Sequence, residues 1–306
     1  MMRAALLVSG AAALLAPAQK RAPTQLGATR VMRGAEDAGL GFIELSHDSG
    51  ASAKIFPFGA DVCSFKDSSG TEWIATRPDA KLDGSKPISG GLSHCFPQFG
   101  PGVIQQHGFA RNVEWKVAGW EEGKDAASAT FMLKPSAYSK AMWDAPFEVH
   151  FTVTLNANSL ETEMKVMNTG DADSFEFQAA LHSYFHVSDI ETASIKGSFK
   201  GKSYLDKMLT PPATVKETRA SITIDSEYDR VYAGVNDPVL VDSGKKKQLA
   251  IQNTQGWKDT VLWSPFGNAG MGYKNFVCVE SAAMEPITLK AGEVWVGAMA
   301  LVPSPL

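Results

Sequence analysis

The chain has 306 residues, 44% of them hydrophobic and 20% charged, which is the composition of an ordinary globular protein long enough to bury one large core. A formal net charge of -4 gives no electrostatic drive towards phosphodiester backbones, so nucleic acid is excluded as an expected partner. The three cysteines, Cys63, Cys95 and Cys278, lie far apart without a CxxC spacing; they offer neither a zinc site nor a disulfide framework and read as buried thiols in a reducing compartment.

The first segment, MMRAALLVSGAAALLAPAQKRAPTQLGATRVMRGAE, carries five basic residues (Arg3, Lys20, Arg21, Arg30 and Arg33), no acid before Glu36, and an apolar run from Ala4 to Pro17. That run is too short for a membrane span, and the basic, alanine-rich stretch behind it has the composition of an organelle transit peptide. Residues 1–35 are therefore expected to be a targeting leader and 36–306 the folded domain. A plastid is the expected destination, with no membrane association. A secretory signal ranks second because no disulfide pattern follows it, and a cytoplasmic location third.

Beyond Gly41 the dominant period is two. In FEVHFTVTL, Phe147, Val149, Phe151, Val153 and Leu155 alternate with polar residues; NANS then turns the chain into LETEMKVMN, which predicts a β-hairpin. Further strands are predicted at GFIELSH, SFEFQAALHSYF, SITID, KQLAIQN, TVLWS, FVCVES and EVWVGAMALV, whereas the one helical candidate is Ser136–Asp144. Many strands joined by Gly, Pro, Asn and Asp turns predict an all-β sandwich or barrel.

Between the early strands, QQHGFARNVEW crowds His107, Gly108, Phe109 and Arg111 together. The surrounding glycines (Gly90, Gly91, Gly100, Gly102, Gly108) and prolines (Pro97, Pro101) would let backbone approach a ligand closely, though an ordered surface turn has the same composition. Along FEFQAALHSYF, the alternation puts His182 on the face opposite Phe177 and Leu181; along NFVCVES, Glu280 shares a face with Cys278, opposite Val277 and Val279. A carboxylate at the end of so apolar a strand needs a partner or a raised pKa, unless it ends the strand in solvent; His182 is equally open to a purely structural, half-buried role. His182 and His186 are four apart, which makes a metal pair on a helix but not on a strand, and no GxSxG elbow marks a serine nucleophile.

In chain order, DGSKPISGGLSHCFPQFGP, QQHGFARN, LHSYFHVSDI, SEYDRVY, VLWSPF and FVCVESAAMEPITLKAGEVW resemble the aldose 1-epimerase superfamily, and most of all its glucose-6-phosphate 1-epimerase (hexose-6-phosphate mutarotase) branch, from about Gly41 to about Pro303. The resemblance implies a large antiparallel β-supersandwich of the galactose mutarotase type. It implies that His182 and Glu280 match the family's catalytic acid and base, that His107 contacts the sugar with Gln106 and Arg111 flanking it, and that Asp229 accepts bonds from sugar hydroxyls. No metal, nucleotide or other cofactor is implied; the expected partner is a small hexose phosphate, and the expected state a monomer.

One position departs from the branch: ISGG stands where IRGG is usual, so Ser89 replaces an arginine that helps to hold phosphate, and serine offers no bidentate fork. Lys86 and Arg111 remain as cationic contacts, with His94 as a further nearby donor. Hexose 6-phosphate is thus the first expectation, a free aldose the second, and a non-catalytic carbohydrate-binding supersandwich an alternative of a different class.

Overall fold

The computed structural model describes residues 29–36 and 39–306. In chain order its strands are β1 (Thr29–Ala35), β2 (Gly41–His47), β3 (Ser52–Phe56), β4 (Asp61–Lys66), β5 (Leu92–Cys95), β6 (Lys116–Glu122), β7 (Ala126–Leu133), β8 (Phe147–Asn156), β9 (Leu160–Asn168) and β10 (Phe175–His186). There follow β11 (Ala193–Lys196), β12 (Ser203–Asp206), β13 (Ala213–Lys216), β14 (Ser221–Thr223), β15 (Tyr228–Tyr232), β16 (Val239–Asp242), β17 (Lys247–Gln255), β18 (Asp259–Ser264), β19 (Phe276–Leu289) and β20 (Val294–Pro305). The helical candidate shrinks to one turn, α1 (Ala137–Lys140), where Ser136 Oγ accepts from the Ser139 N–H and Ser139 Oγ from the Ser136 N–H.

The strands form three antiparallel sheets: a four-stranded one in the order β1-β2-β3-β4, a seven-stranded one in the order β13-β12-β15-β18-β19-β10-β5, and a nine-stranded one in the order β14-β11-β16-β17-β20-β9-β8-β7-β6. This is the all-β supersandwich that the resemblance implied. The expected hairpin is present as β8 and β9, closed between Leu155 and Leu160. Alternation explains why two large sheets stack: Phe147, Val149, Phe151 and Val153 of β8 join Leu181 and Phe185 of β10 and Val277 and Val279 of β19 in one core. Each such side chain contributes roughly 1.5–3 kcal/mol on full burial. The seven-stranded sheet therefore has one face committed to the core and the other free to carry polar chemistry.

The expected boundary at residue 35 is corrected by β1, which pairs with β2 along its whole length from Thr29↔His47 to Ala35↔Gly41. Thr29 Oγ1 donates to the Gly123 carbonyl at 2.7 Å, the Val31 N–H donates to Glu122 Oε1 at 2.8 Å, and the Arg33 guanidinium lies 4.6 Å from the Trp120 ring centroid. TRVMRGA passes for leader because its alternation is weak and its cations, which here cover an edge strand, look like targeting charge. The proposed leader otherwise falls on residues 1–28, outside the described residues. A chain beginning at Glu36 should be less stable than one beginning at Thr29 by about 1–3 kcal/mol, since Val31 loses its half-buried place against the core. Urea unfolding of the two truncations compares them, and equal midpoints would show β1 to be dispensable.

Candidate active site

β10 and β19 lie side by side towards the β5 edge of the seven-stranded sheet, with Leu181 facing Ser281 and Tyr184 facing Cys278. This register sets His182 against Glu280, both on the face turned away from the main core, with His182 Nδ1 and Glu280 Oε1 3.3 Å apart. The two are close but not aligned for a hydrogen bond, and Glu280 Oε2 is buried with no partner among the described residues. The alternative that Glu280 ends its strand in solvent is overturned: β19 runs on to Leu289, and Glu280 is 2% exposed.

Burial is the first cause of every titration shift here. It pushes the Glu280 carboxyl well above the usual carboxylate range; the Asp229 charge adds to the rise, and Lys207 and Arg111 oppose it. It also holds the His182 imidazole well below its ordinary value, with His107 and Arg111 acting in the same direction. The Tyr184 ring stacks on His182 at 4.9 Å, and the Trp263 edge meets it at 5.7 Å, so the histidine is wedged between aromatic walls.

The QQHGFAR stretch is both turn and site. His107 adopts φ 65°, a left-handed conformation uncommon outside glycine and costing on the order of 1–3 kcal/mol. It persists because the loop overdetermines it: the His107 N–H donates to the Gly100 carbonyl at 2.9 Å, and the Phe96 N–H donates to the His107 carbonyl at 3.2 Å. The Gly100 N–H donates to His107 Nδ1 at 3.2 Å, which assigns the ring proton to Nε2; the Gln106 side-chain amide, 3.3 Å from Nε2, then turns its oxygen towards that proton. Burial, helped by Arg111 and Lys207, lowers the His107 pKa to about 3, so the ring stays neutral.

The expectation that the glycines admit a ligand to the backbone is corrected at two positions. A Cβ at Gly108 would overlap the Phe96 carbonyl, and one at Gly91 the Asp61 carboxyl. These glycines let the chain pack on itself.

Around the pair opens a cavity of about 480 Å³, lined by all eight residues singled out in the sequence: Lys86, Ser89, Gln106, His107, Arg111, His182, Asp229 and Glu280. Asp229 on β15 stands opposite Trp263 on β18 and lies 3.3 Å from Lys207 Nζ. His94 is not there. It is fully buried between Trp115 and Phe151, its Nδ1 3.0 Å from the Gly59 carbonyl oxygen, and burial lowers its pKa to about 4.

Sequence reasoning missed Arg77, Tyr184, Lys207 and Trp263 in the cavity wall. Tyr184 was within reach, being two residues from His182 on the same face; the other three needed the sheet order to bring them in. Among the described residues, His182, Cys278 and Glu280 hold metal-binding atoms within 4.8 Å of one another. The Cys278 thiol is a poor ligand, because burial and then the Glu280 charge push its pKa well up.

The aldose 1-epimerase family model matches residues 41–301. A protein of Cenchrus ciliaris, named as a candidate glucose-6-phosphate 1-epimerase, is 33% identical over 288 residues, covering 87% of this chain and 86% of that one. A protein of Escherichia coli K12 with the same name is 30% identical over 237 residues, covering 73% and 77%. Among solved structures, a candidate mutarotase from Salmonella typhimurium superposes with a TM-score of 0.80 at 24% identity, over 90% of this chain and 94% of that one. A galactose mutarotase-like protein from Clostridium acetobutylicum gives 0.74 at 17% identity, over 91% and 99%. These two likenesses bear on the fold.

A buried acid with a raised pKa is a stability cost at the pH where enzymes work. The stability that protonated Glu280 contributes is fully present below the ordinary carboxylate pKa and is lost as pH rises through the folded-state value. Glu280→Gln cannot ionise and escapes that loss. The variant should therefore melt higher than wild type by roughly 2–4 °C at pH 8, with the gap closing towards pH 4.5. Thermal unfolding at both pH values measures it, and a gap that does not change with pH would contradict the assignment of the raised carboxyl to Glu280.

Proposed function

The chain belongs to the aldose 1-epimerase family, and from that premise we propose that it is an isomerase interconverting the α and β anomers of a hexose 6-phosphate, glucose 6-phosphate foremost. One observation carries the proposal: a buried His182–Glu280 pair at 3.3 Å on the floor of a polar cavity large enough for a sugar. The names of the relatives support the choice of sugar, and so do the four cations in the wall, Arg77, Lys86, Arg111 and Lys207.

Anomers interchange through the open chain, which needs two proton movements at oxygens bonded to the same carbon. Glu280 acts as the base: it takes the proton of the anomeric hydroxyl while the oxygen lone pair forms C1=O. His182 acts as the acid: it protonates the ring oxygen, which leaves with the C1–O5 bonding pair. Rotation about C1–C2 turns the other face of the carbonyl to the C5 hydroxyl, and closure returns both protons. Adjacent groups on one wall suit adjacent oxygens on one carbon.

The electrostatics fit this sequence. The pair shares one proton, and ring opening carries it from His182 to Glu280 by way of the sugar. Burial favours the neutral distribution, with the proton on Glu280, which is the state that accompanies the open chain. Arg111 and Lys207 oppose the rise of Glu280 and so keep its carboxylate available at the start. His107 Nε2–H and Asp229 serve as donor and acceptor to the sugar hydroxyls, with Gln106 beside His107.

Glu280→Gln and His182→Asn should each lower the catalysed rate by about 10²- to 10⁴-fold while the fold persists, as measured by exchange spectroscopy of glucose 6-phosphate anomers. A folded variant at near wild-type rate would sink the assignment. The pair works with one proton, so activity falls at low pH where it takes up a second; burial holds His182 below its ordinary 6.5 and delays that uptake, so the acid limb of the kcat/KM profile should lie below pH 6.5. Equal efficiency on free glucose and glucose 6-phosphate would replace the phosphosugar by a free aldose.

We further propose that residues 1–28 direct the protein into an organelle, most consistently a plastid, on the strength of their basic, acid-free composition. A fluorescent fusion of residues 1–28 should be imported by plastids. One that stays in the cytosol would refute this, and one that enters the secretory pathway would favour a signal peptide.

A further inference from the structure

The cavity wall holds four cations, two lysines and two arginines. Lys207 Nζ is 3.3 Å from Asp229 and 5.1 Å from the Phe99 ring centroid. Arg111 Nη2 donates to the Gln106 carbonyl at 3.3 Å, and its charge acts on His182 and Glu280 alike. Lys86 is exposed. Arg77 differs from all three. Its Nε and Nη2 donate to Asp79 at 2.9 and 2.6 Å, its side chain is 13% exposed, and its backbone N–H donates at 2.9 Å to the carbonyl of Ser89, the residue that carries no charge where the resemblance led one to expect an arginine.

We infer that Arg77 is the residue that recognises the 6-phosphate, its guanidinium supplying from the neighbouring segment the fork that Ser89 lacks. The inference rests on the hexose 6-phosphate reading above and assigns the group that performs the recognition. Substrate geometry gives the reason. In a hexose, C6 is attached to C5, and C5 is bonded to the ring oxygen; the phosphate therefore lies beyond the ring oxygen, on the side of the acid and away from the anomeric hydroxyl.

The acid is His182, and the next side chain on its face of β10 is Tyr184, stacked on it at 4.9 Å with 12° between the planes. The segment carrying Arg77 is tied to that tyrosine: the Ala75 N–H donates to the Tyr184 carbonyl and the Tyr184 N–H to the Gly91 carbonyl, each at 2.9 Å. The bridge between Ile74 and Phe185 puts this segment on the edge of β10 turned away from β19 and Glu280, and the charges of Arg77 and Arg111 both act to lower the Tyr184 phenol that burial raises.

Asp79 fixes the fork without consuming it. A guanidinium has five N–H donors, and Asp79 takes the one on Nε and one on Nη2, which leaves three. A planar fork already held by a carboxylate loses little freedom when it meets phosphate oxygens, and two parallel charge-assisted bonds fit a phosphate as a lysine cannot. The Ser89 hydroxyl, also in the wall, adds a donor beside it.

The test compares kcat/KM for glucose 6-phosphate and for glucose in wild type, Arg77→Ala, Arg77→Lys and, as a cation of the same segment outside the cavity, Lys81→Ala. Arg77→Ala should lower the ratio of the two by about 10- to 100-fold, Arg77→Lys by less, and Lys81→Ala by about twofold or less. Inorganic phosphate should inhibit wild type competitively and Arg77→Lys more weakly, a readout that holds even if the alanine variant fails to fold. An unchanged ratio in Arg77→Ala, or unchanged phosphate inhibition in Arg77→Lys, overturns the assignment while wild-type preference for the phosphosugar stands. A wild type indifferent to the phosphate overturns the substrate reading itself, and the two failures are thereby told apart.

Discussion

A carboxyl group taken out of water is tolerated only where its surroundings are fixed, because a loose, half-compensated site would let it drift back to solvent. Glu280 is held by the pairing of β10 with β19, and that pairing is secured from the opposite side of the sheet. Val277 and Val279 on one strand, and Leu181 and Phe185 on the other, point into the core shared with β8. A slip of one residue would bring these side chains out and turn His182 and Glu280 inward. The apolar face thus sets the geometry of the polar one, and no bond between the acid and the base is needed to hold them together.

The loop that closes the cavity obeys a different rule. Its shape comes from close packing at glycine, with Gly108 against the Phe96 backbone and Gly91 against the Asp61 carboxyl leaving no room for a Cβ. The unfavourable conformation of His107 is carried by main-chain hydrogen bonds to Gly100 and from Phe96. The result is a neutral imidazole with its proton on the nitrogen that the Gly100 N–H leaves free. A ligand meeting this group finds a directed donor, not a cation.

Much of this was legible in the sequence, and the exceptions have physical causes. Alternation placed the β8–β9 hairpin and the faces of β10 and β19, because side-chain direction along a strand is a local property. All eight residues named from the motifs line one cavity, although composition alone could only set them on loops and strands. What failed was whatever depends on neighbours distant in sequence. β1 was mistaken for leader because an edge strand has only one paired side and need not be strongly apolar. His94 was placed near the site by adjacency along the chain, whereas its position on β5 turns it into the core. Arg77 and Lys207 carried no signal, since only the order of strands brings them to the wall.

The central strand of the site also couples chemistry to the history of the chain. β10 pairs on one edge with β5, where His182 faces Ser93, and on the other with β19, which bears Glu280. Both partners are roughly ninety or a hundred residues away, so neither ladder closes until most of the polypeptide is available, and such non-local pairings are slow to form. A nascent chain that has delivered the acid still lacks the base. Turnover therefore marks completed assembly of the seven-stranded sheet, and the recovery of activity during refolding would follow the docking of β19 rather than the earlier collapse of the β7–β8–β9 meander.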